Sequence, residues 1–337
     1  MATLCDAGIT EQRNHLQLTP AAHIAPHRWA GPSTTFERVP TLFVHNNEMA
    51  RAQDILDTLI DAVEADGFRA IGIHVLVGDE AASHLWHNDT RRDVQSVAKA
   101  VCVIAAAMAA DEGIFDIDGP VSQYFPNVTL GEGVEHVTVR HLLSMTSGID
   151  LPWSPTLMTD WPDLAHEFLS RATQGRTFQY SNASTYTAMR ALATAVGDVS
   201  AWVNSRLFAP LGIQEPHWDR CPGGWVVAGG GLHLSLNELA RCAQLIRDGG
   251  TWQGTRLVDE RWITAMHSNW TVCEGPRGYE RYALAGWDGP GAAWRLHGAY
   301  GQLVVFTGDA VVTVTADDHE GADLMCERIV GAVRLAR

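Results

Sequence analysis

The one lysine of this 337-residue chain lies three positions after a serine, in the sequence Gln95-Ser96-Val97-Ala98-Lys99. Every other residue among the 24 lysines and arginines is an arginine. Burial and neighbouring charge can lower the pKa of a lysine ammonium from about 10.4 to about 7 to 8, whereas a guanidinium stays charged. The spacing therefore predicts nucleophilic chemistry at Ser96, one helical turn from Lys99 as its general base.

A second pattern is the sequence Gln179-Tyr180-Ser181-Asn182. A tyrosine hydroxyl near a lysine can relay a proton to a leaving group. A side-chain amide in the same place can bind a substrate carbonyl or hold the lysine. We therefore predict that Tyr180 and Asn182 act beside Lys99.

A third pattern lies in the segment 294–302, where His297, Gly298 and Ala299 enter a predicted strand. A glycine lets a substrate lie close to the edge of a strand, whose backbone N–H can form half of an oxyanion hole. The N–H of Ser96, at the start of its helix, would form the other half. A tight β-turn fits the same residues equally well.

The elements that position these residues follow from the period of the apolar side chains. The pattern predicts a strand hairpin over 70–77 and 82–86, and a helix from about 94 to 112 that is apolar nearly all round and hence central. Further helices are predicted over 48–64, 140–145, 163–172, 183–196, 200–208, 235–248 and 320–335, and further strands over 281–287, 302–307 and 310–315.

Strands at both ends with helices between them predict an α/β (α+β) fold, in which one antiparallel sheet is built from both chain ends and flanked by helices. An all-helical lobe is inserted, and a cleft lies between the two parts. Residues 1–48 are polar and contain four prolines, so we expect them to wrap over the body. Residues 49–337 then form a single domain, with the sheet in about 49–94 and 225–337 and the helical part in about 95–224.

The charge of the chain argues against two classes of partner. The formal net charge is −15 and the pI is near 5.4, whereas nucleic acids and anionic membranes require clustered basic residues. The first residues resemble no secretory signal, and the longest apolar run, 100–110, is shorter than the roughly 20 residues that cross a bilayer. We therefore expect a cytoplasmic protein that binds a small molecule.

Cysteine and histidine spacing predicts no metal site, and the nucleophilic chemistry predicted at Ser96 is expected to use no cofactor. The six cysteines lack Cys-x-x-Cys spacing, which indicates reduced thiols. The 15 histidines include no His-Glu-x-x-His helix, so most of them are expected to be ordinary surface or packing residues.

In this order, the three patterns resemble the signature of the serine β-lactamase and penicillin-binding-protein superfamily, which is Ser-x-x-Lys, Ser-Asp-Asn and Lys-Thr-Gly. The Tyr-x-Asn form of the second pattern is similar to that of class C β-lactamases, D-alanyl-D-alanine peptidases, related carboxylesterases and 6-aminohexanoate-dimer hydrolases. The segments 111–121, 141–149, 208–213 and 228–232 are similar too. The resemblance, which covers about residue 50 to the end, implies a β-lactamase-like fold and an acyl-enzyme mechanism.

The resemblance also implies a role for each residue. Ser96 would be the nucleophile and Lys99 the base that activates it. Tyr180 would relay a proton to the leaving group and activate the deacylating water. Asn182 would position the substrate, and the N–H of Ala299 would complete the oxyanion hole.

The third pattern departs from the family signature, because a Lys-Thr-Gly cannot occur in a chain whose only lysine is Lys99. In one register Gly298 is the motif glycine and Leu296 takes the lysine position. In the other, His297-Gly298-Ala299 puts an imidazole in place of the ammonium. The cation that would bind a substrate carboxylate is missing unless His297 or Arg295 supplies it, so we expect a small ester or amide as substrate rather than a β-lactam.

Two alternatives stay open at this point. The same residues would support acyl transfer to a metabolite in place of water. A non-catalytic relative would keep the fold for ligand binding or sensing, although the single retained lysine argues against this. The sequence leaves the oligomeric state open.

Overall fold

Strands from both ends of the chain form the main sheet of the computed structural model, which describes residues 51–151, 163–275 and 278–336. The strands in these residues are Ala70–Val77 (β1), Glu80–Leu85 (β2), Arg92–Asp93 (β3), His233–Leu234 (β4), Thr251–Trp252 (β5), Thr255–Arg256 (β6), Thr271–Val272 (β7), Arg281–Tyr282 (β8), Trp287–Asp288 (β9), Trp294–Gly298 (β10), Gln302–Thr307 (β11) and Ala310–Ala316 (β12).

Eight of these strands form one sheet in the order β2-β1-β12-β11-β10-β9-β8-β7. Neighbouring strands of this sheet pair antiparallel, and β1 pairs with β12 from Ala70 opposite Ala316 to Val77 opposite Ala310. The predicted antiparallel sheet assembled from both chain ends is therefore confirmed. Strand β10, which carries the third pattern, pairs with β11 as far as Gly298 but with β9 only at Trp294 and Arg295, so His297 and Gly298 extend beyond the β9 pairing.

The α-helices cover the sheet and build the helical part of the described chain. They are Arg51–Asp66 (α1), Ala98–Asp111 (α2), Val139–Leu143 (α3), Leu164–Leu169 (α4), Asn182–Val196 (α5), Val199–Val203 (α6), Leu236–Arg247 (α7), Glu260–Ala265 (α8) and Ala322–Leu335 (α9). No helix in the described ranges has the length and apolar character needed to cross a membrane.

Two apolar cores lie on the two faces of the sheet. Helices α1 and α9 bury Leu59 and Ile329 against β1, β11 and β12 on one face. On the other face, α2 and α5 belong to the larger core, and α7 packs against β1 and β12. The middle strands are rich in β-branched residues because both of their faces are covered.

Helix α2 is the central helix that the sequence predicts. Twelve of its fourteen residues are buried, and Lys99 is the charged one among them. A short 3₁₀ turn, Gln95–Val97, precedes it, so Ser96 stands at the entrance to a helix with no solvent-facing stripe. The rigid surroundings of this helix fix the position of both residues.

The predicted hairpin is confirmed as β1 and β2, and most predicted helices lie within a few residues of observed ones. The predicted strand over 281–287 is wrong as one element. Ala285 has the left-handed φ of 65°, and Ala283 N–H donates to the Gly286 carbonyl, so a turn separates β8 from β9. An alanine gives no sequence signal for this conformation.

The expectation of a wrapping segment over 1–48 lies outside the described residues. Those residues that are described, from Arg51 onward, belong to one compact unit. The five cysteines among them are all buried.

Candidate active site

The turn that carries Ser96 is held by a carboxylate that sequence reasoning missed. Gln95 has a φ of 53°, a left-handed conformation that is uncommon for a residue with a side chain. Asp93 accepts hydrogen bonds from the backbone N–H of Gln95 at 2.7 Å and from that of Gly231 at 2.8 Å. Burial raises the pKa of the Asp93 carboxyl in spite of these bonds. Asp93 thus connects the turn that carries Ser96 to the segment 229–231.

Lys99 is 2 % exposed and points its amino group at Ser96. Its Nζ lies 2.9 Å from Ser96 Oγ, 2.8 Å from Asn182 Oδ1 and 2.8 Å from the Gly229 carbonyl oxygen. All three neighbours are uncharged oxygen atoms, and no ion pair of Lys99 occurs in the described ranges. The side chain therefore reaches Ser96 as the spacing predicts.

Two residues of the second pattern, Tyr180 and Asn182, lie next to the Lys99 amino group. Ser181 caps α5 by accepting from Ala183 N–H, so Asn182 is the first residue of that helix and faces α2. The ring of Tyr180 lies 4.9 Å from Lys99 Nζ, and it packs against Tyr282 and Trp287. Within the described residues no hydrogen bond joins the Tyr180 hydroxyl to Ser96 or Lys99, so the relay role stays a prediction.

Gly298 brings β10 against the nucleophile turn. A Cβ atom at this position would lie 2.6 Å from the Val94 carbonyl oxygen and 3.1 Å from Ser96 N. Only a residue without a side chain allows this approach, which places the backbone next to Ser96. Ala299 follows directly, and its role as the second amide of an oxyanion hole stays a prediction.

The structure also chooses between the two registers of the third pattern. Successive side chains of β10 point to opposite faces. Leu296 is buried in the larger core, whereas His297 is half-buried and lines the cavity at Ser96. Of the two side chains, His297 and not Leu296 faces the cavity at Ser96. Arg295 is 1 % exposed and does not line this cavity.

His297 belongs to a chain of hydrogen bonds. Its Nδ1 is hydrogen-bonded to the Tyr279 hydroxyl, which also donates to Asp323 Oδ1 at 3.0 Å. Arg295 Nη1 donates to the same carboxylate oxygen at 2.8 Å, and the guanidinium lies 4.6 Å from the Tyr279 ring centre. Burial, and secondarily the charge of Arg295, lowers the pKa of His297 to about 4. The ring is therefore neutral at neutral pH.

A cavity of about 760 Å³ joins these residues and has the size of a small-molecule site. The predicted residues Ser96, Tyr180, Asn182, His297, Gly298 and Ala299 all line it, and Lys99 reaches it through Ser96. Aromatic side chains of Phe178, Tyr279 and Trp287 form an apolar wall. Asp93, Asp219 and Glu274 also line the cavity, and none of its described lining residues is a lysine or an arginine.

One group of described side chains, of which Asp219 lines the cavity, could hold a metal ion. His217, Asp219 and His233 place one ligand atom each within 4.8 Å of one another. They lie side by side because His233 N–H donates to the His217 carbonyl oxygen. The Asp219 carboxylate, which lies 2.9 Å from His217 Nε2, pairs with both histidines.

Sequence reasoning missed four contributors to this site: Asp93, the Gly229 carbonyl, Tyr279 and Asp323. An aspartate two residues before Gln95 is a known signal for a side chain that caps a turn, so Asp93 could have been found. The other three come from segments far away in sequence and carry no spacing signal.

Comparison with known proteins places the fold and the family. A family model described as Beta-lactamase matches residues 44–325. The 6-aminohexanoate-dimer hydrolase of Paenarthrobacter ureafaciens is 26 % identical over 230 residues, which are 57 % of this chain and 55 % of the relative. The alignment thus spans about half the length of that curated relative.

Two solved structures share the fold. A family VIII carboxylesterase has a TM-score of 0.68 at 16 % identity and covers 85 % of this chain and 98 % of its own. A D-amino acid amidase from Ochrobactrum anthropi, solved with L-phenylalanine amide, has a TM-score of 0.64 at 18 % identity, over 85 % of this chain and 99 % of its own. At these identities the likeness establishes the fold alone.

Proposed function

The chain belongs to the beta-lactamase family, and we propose that it is a serine hydrolase that cleaves a small ester or amide through an acyl-enzyme on Ser96. Three features of the molecule support this proposal. The pattern residues gather around one cavity, the family contains hydrolases, and an amidase and an esterase share the fold.

The observation that carries the proposal is the set of atoms around Lys99 Nζ. A neutral amine has two N–H bonds and one lone pair. Nζ lies within hydrogen-bond distance of Ser96 Oγ at 2.9 Å, Asn182 Oδ1 at 2.8 Å and the Gly229 carbonyl oxygen at 2.8 Å. In the neutral amine that the proposal requires, N–H bonds to Asn182 Oδ1 and the Gly229 carbonyl would leave the lone pair facing Ser96 Oγ. This is the geometry in which an amine accepts the proton of an attacking hydroxyl.

In the proposed acylation, Ser96 Oγ attacks the substrate carbonyl carbon while its proton passes to Lys99 Nζ. The carbonyl oxygen becomes an oxyanion, which the N–H groups of Ser96 and Ala299 stabilise. When the intermediate collapses, the bond to the leaving group breaks, and Tyr180 passes a proton to the departing oxygen or nitrogen. Lys99 then returns its proton to Tyr180, so both groups are restored.

In the proposed deacylation, water attacks the ester carbonyl of the acyl-enzyme. The proton of this water passes to Tyr180 while the hydroxyl proton of Tyr180 passes to neutral Lys99, and the same oxyanion site is used again. Ser96 Oγ leaves with a proton from Lys99, which yields the free acid and the original enzyme. A different acceptor alcohol or amine in place of water would give acyl transfer with identical residues.

The test compares wild-type protein with Ser96→Ala and with the matched control Ser205→Ala, whose serine is exposed and lies on a helix away from the cavity. We expect wild type and Ser205→Ala to hydrolyse p-nitrophenyl acetate at the same rate, and Ser96→Ala to show no turnover above background. Turnover that persists in Ser96→Ala, in protein that is folded by circular dichroism, would overturn the proposal.

A further inference from the structure

The tautomer of His297 follows from its neighbours. The Tyr279 hydroxyl has a single proton, which it donates to Asp323 Oδ1 at 3.0 Å. The same carboxylate oxygen accepts from Arg295 at 2.8 Å, so it is a charged acceptor. Burial raises the pKa of Tyr279, which keeps its proton. Its hydrogen bond to His297 must therefore be donated by Nδ1–H of the imidazole.

The second nitrogen of this ring is then an acceptor. A neutral imidazole with its proton on Nδ1 has an unshared electron pair on Nε2. Burial and the Arg295 charge lower the pKa of His297 to about 4, which keeps Nε2 unprotonated at neutral pH. Within the described part of the chain no hydrogen bond to Nε2 is found, and Nε2 is not among the buried unpartnered atoms. It is thus open to a ligand in the cavity that His297 lines.

Arg295 does not supply the missing cation to a ligand. Its Nη1 donates to Asp323 and its Nη2 donates to the Gly278 carbonyl oxygen at 2.8 Å, while the aromatic ring of Tyr279 covers the guanidinium. The side chain is 1 % exposed. Its positive charge is paired with the Asp323 carboxylate, which also accepts the hydroxyl proton of Tyr279. This pairing leaves the Tyr279 oxygen as the acceptor for His297 Nδ1–H.

The charged side chains that line the cavity are acidic, in contrast to the positive charge of Arg295. Asp93, Asp219 and Glu274 line it, together with the histidines His297 and His319. His217 and His233 face the Asp219 carboxylate, and Asp93 accepts only from N–H groups. An acceptor nitrogen in an acidic cavity favours a positively charged donor over a neutral one.

We infer that the substrate carries an ammonium group that donates a hydrogen bond to His297 Nε2, at the position where the third-motif lysine of the family signature would bind a carboxylate. This subsite therefore binds a positively charged group where the motif lysine would bind a negatively charged one. This inference rests on the proposed function, because it names the substrate class for the same cavity.

The activity test uses two series of simple esters of equal length. One series carries an ammonium, a methyl or a carboxylate group at the end of the acyl chain, and the other carries it at the end of the alcohol. Chromatography of the released acid gives kcat/KM. In at least one series we expect the ammonium ester to exceed the carboxylate ester by about 10-fold to 100-fold, the range of a charged hydrogen bond. Equal rates, or a preference for carboxylate in both series, would overturn the inference.

Two lysine variants separate the role of His297 from the general charge of the cavity. His297→Lys places a cation at the subsite, whereas the control His319→Lys adds the same charge at an exposed position that lines the same cavity. We expect His297→Lys to reverse the order of the ammonium and carboxylate esters, and His319→Lys to keep the ammonium ester first. Reversal by both variants would show that general charge sets the preference, and would contradict the role of His297.

A spectroscopic test is independent of catalysis. In protein labelled with nitrogen-15 histidine, the His297 resonances are assigned by their loss in His297→Gln. We expect Nδ1 protonated and Nε2 unprotonated at neutral pH, and loss of this single tautomer in Tyr279→Phe, which removes the hydroxyl but keeps the ring. A protonated Nε2 in wild type would overturn the inference. If no ester is cleaved and Nε2 is unprotonated, the proposed function fails while the acceptor state stands.

Discussion

Lys99 and Arg295 are both basic side chains buried beside one cavity, yet their partners differ in kind. Lys99 is surrounded by three uncharged oxygens, those of Ser96, Asn182 and the Gly229 carbonyl. Arg295 is paired with the Asp323 carboxylate and covered by Tyr279. A buried base that lacks a carboxylate partner can take part in proton transfer, whereas one that has a carboxylate partner is held as a permanent charge.

The difference teaches how one fold separates chemistry from recognition. On the Ser96 side, hydrogen-bond acceptors orient an amine toward the proposed nucleophile, Ser96. On the His297 side, a charged pair orients a hydroxyl that fixes an imidazole. The arginine-rich composition fits this proposed division, because arginine supplies a fixed charge at every other basic position and the proposed function requires a base at residue 99.

Reciprocal exchanges of the two buried bases test the comparison most severely. Lys99→Arg keeps the charge but removes the ability to lose a proton, so we expect kcat to fall by about 10³-fold or more. Arg295→Lys keeps the charge, but a single ammonium cannot replace both hydrogen bonds of the guanidinium, to Asp323 and to the Gly278 carbonyl oxygen. We expect it to keep turnover within about 10-fold and to lower the free energy of unfolding by about 1 to 3 kcal/mol.

Steady-state kinetics and urea denaturation of both variants give these numbers. A Lys99→Arg enzyme with near wild-type kcat would show that the basicity of residue 99 is not used. An Arg295→Lys enzyme as inactive as Lys99→Arg would erase the distinction between the two sites.

Gly298→Ala sharpens the comparison at the contact between the two sides. The new methyl group would lie 2.6 Å from the Val94 carbonyl oxygen, so β10 must move away from Ser96. We expect kcat to fall about 10²-fold, as for the loss of one oxyanion donor, and stability to fall by about 1 to 3 kcal/mol. Gly331→Ala in α9 is the control, because a Cβ there meets nothing within 4 Å. Unchanged kinetics in Gly298→Ala would exclude β10 from the oxyanion site.

The pH dependence of stability gives the smallest effect. The pKa of His297 is about 4 in the folded protein and near the ordinary 6.5 when unfolded, so between these values the unfolded chain binds more protons. The stabilisation is complete above pH 6.5 and is lost as the pH falls toward 4, with a slope of at most about 1.4 kcal/mol per pH unit. His297→Gln should remove this contribution. Parallel urea curves show it as a smaller slope for the variant, and identical slopes would contradict a neutral, buried His297.

Sequence patterns predicted the parts of this molecule whose signals are local. The sheet from both termini, the central apolar helix and the Ser96 to Lys99 contact all follow from periodicity or from a spacing of three residues. The hairpin of β1 and β2 followed from a change of period at Ala70. The helix, the hairpin and the Ser96 to Lys99 contact depend on residues that are neighbours in the chain, whereas the pairing of β1 with β12 was inferred from the order of strands and helices along the chain.

The parts that could not be predicted depend on contacts between distant segments. Tyr279 and Asp323 meet His297 only because β10 lies beside α9 and the loop before β8. The Gly229 carbonyl is a backbone atom and has no residue-type signal, although its glycine was noted in a segment similar to the family. The left-handed conformation of Ala285, which divides the predicted strand over 281–287, likewise has no signal in the residue type.

The most direct test of the central claim follows the acylation of Ser96 by intact-mass spectrometry. Wild type, Lys99→Arg and Arg295→Lys are mixed with a fluorophosphonate, and the labelled fraction is measured over time and mapped by peptide analysis. We predict a single adduct on Ser96, formed at similar rates in wild type and Arg295→Lys and about 10³-fold more slowly in Lys99→Arg. An adduct on another residue, or equal labelling rates in all three proteins, would contradict the assignment of Lys99 as the base that activates Ser96.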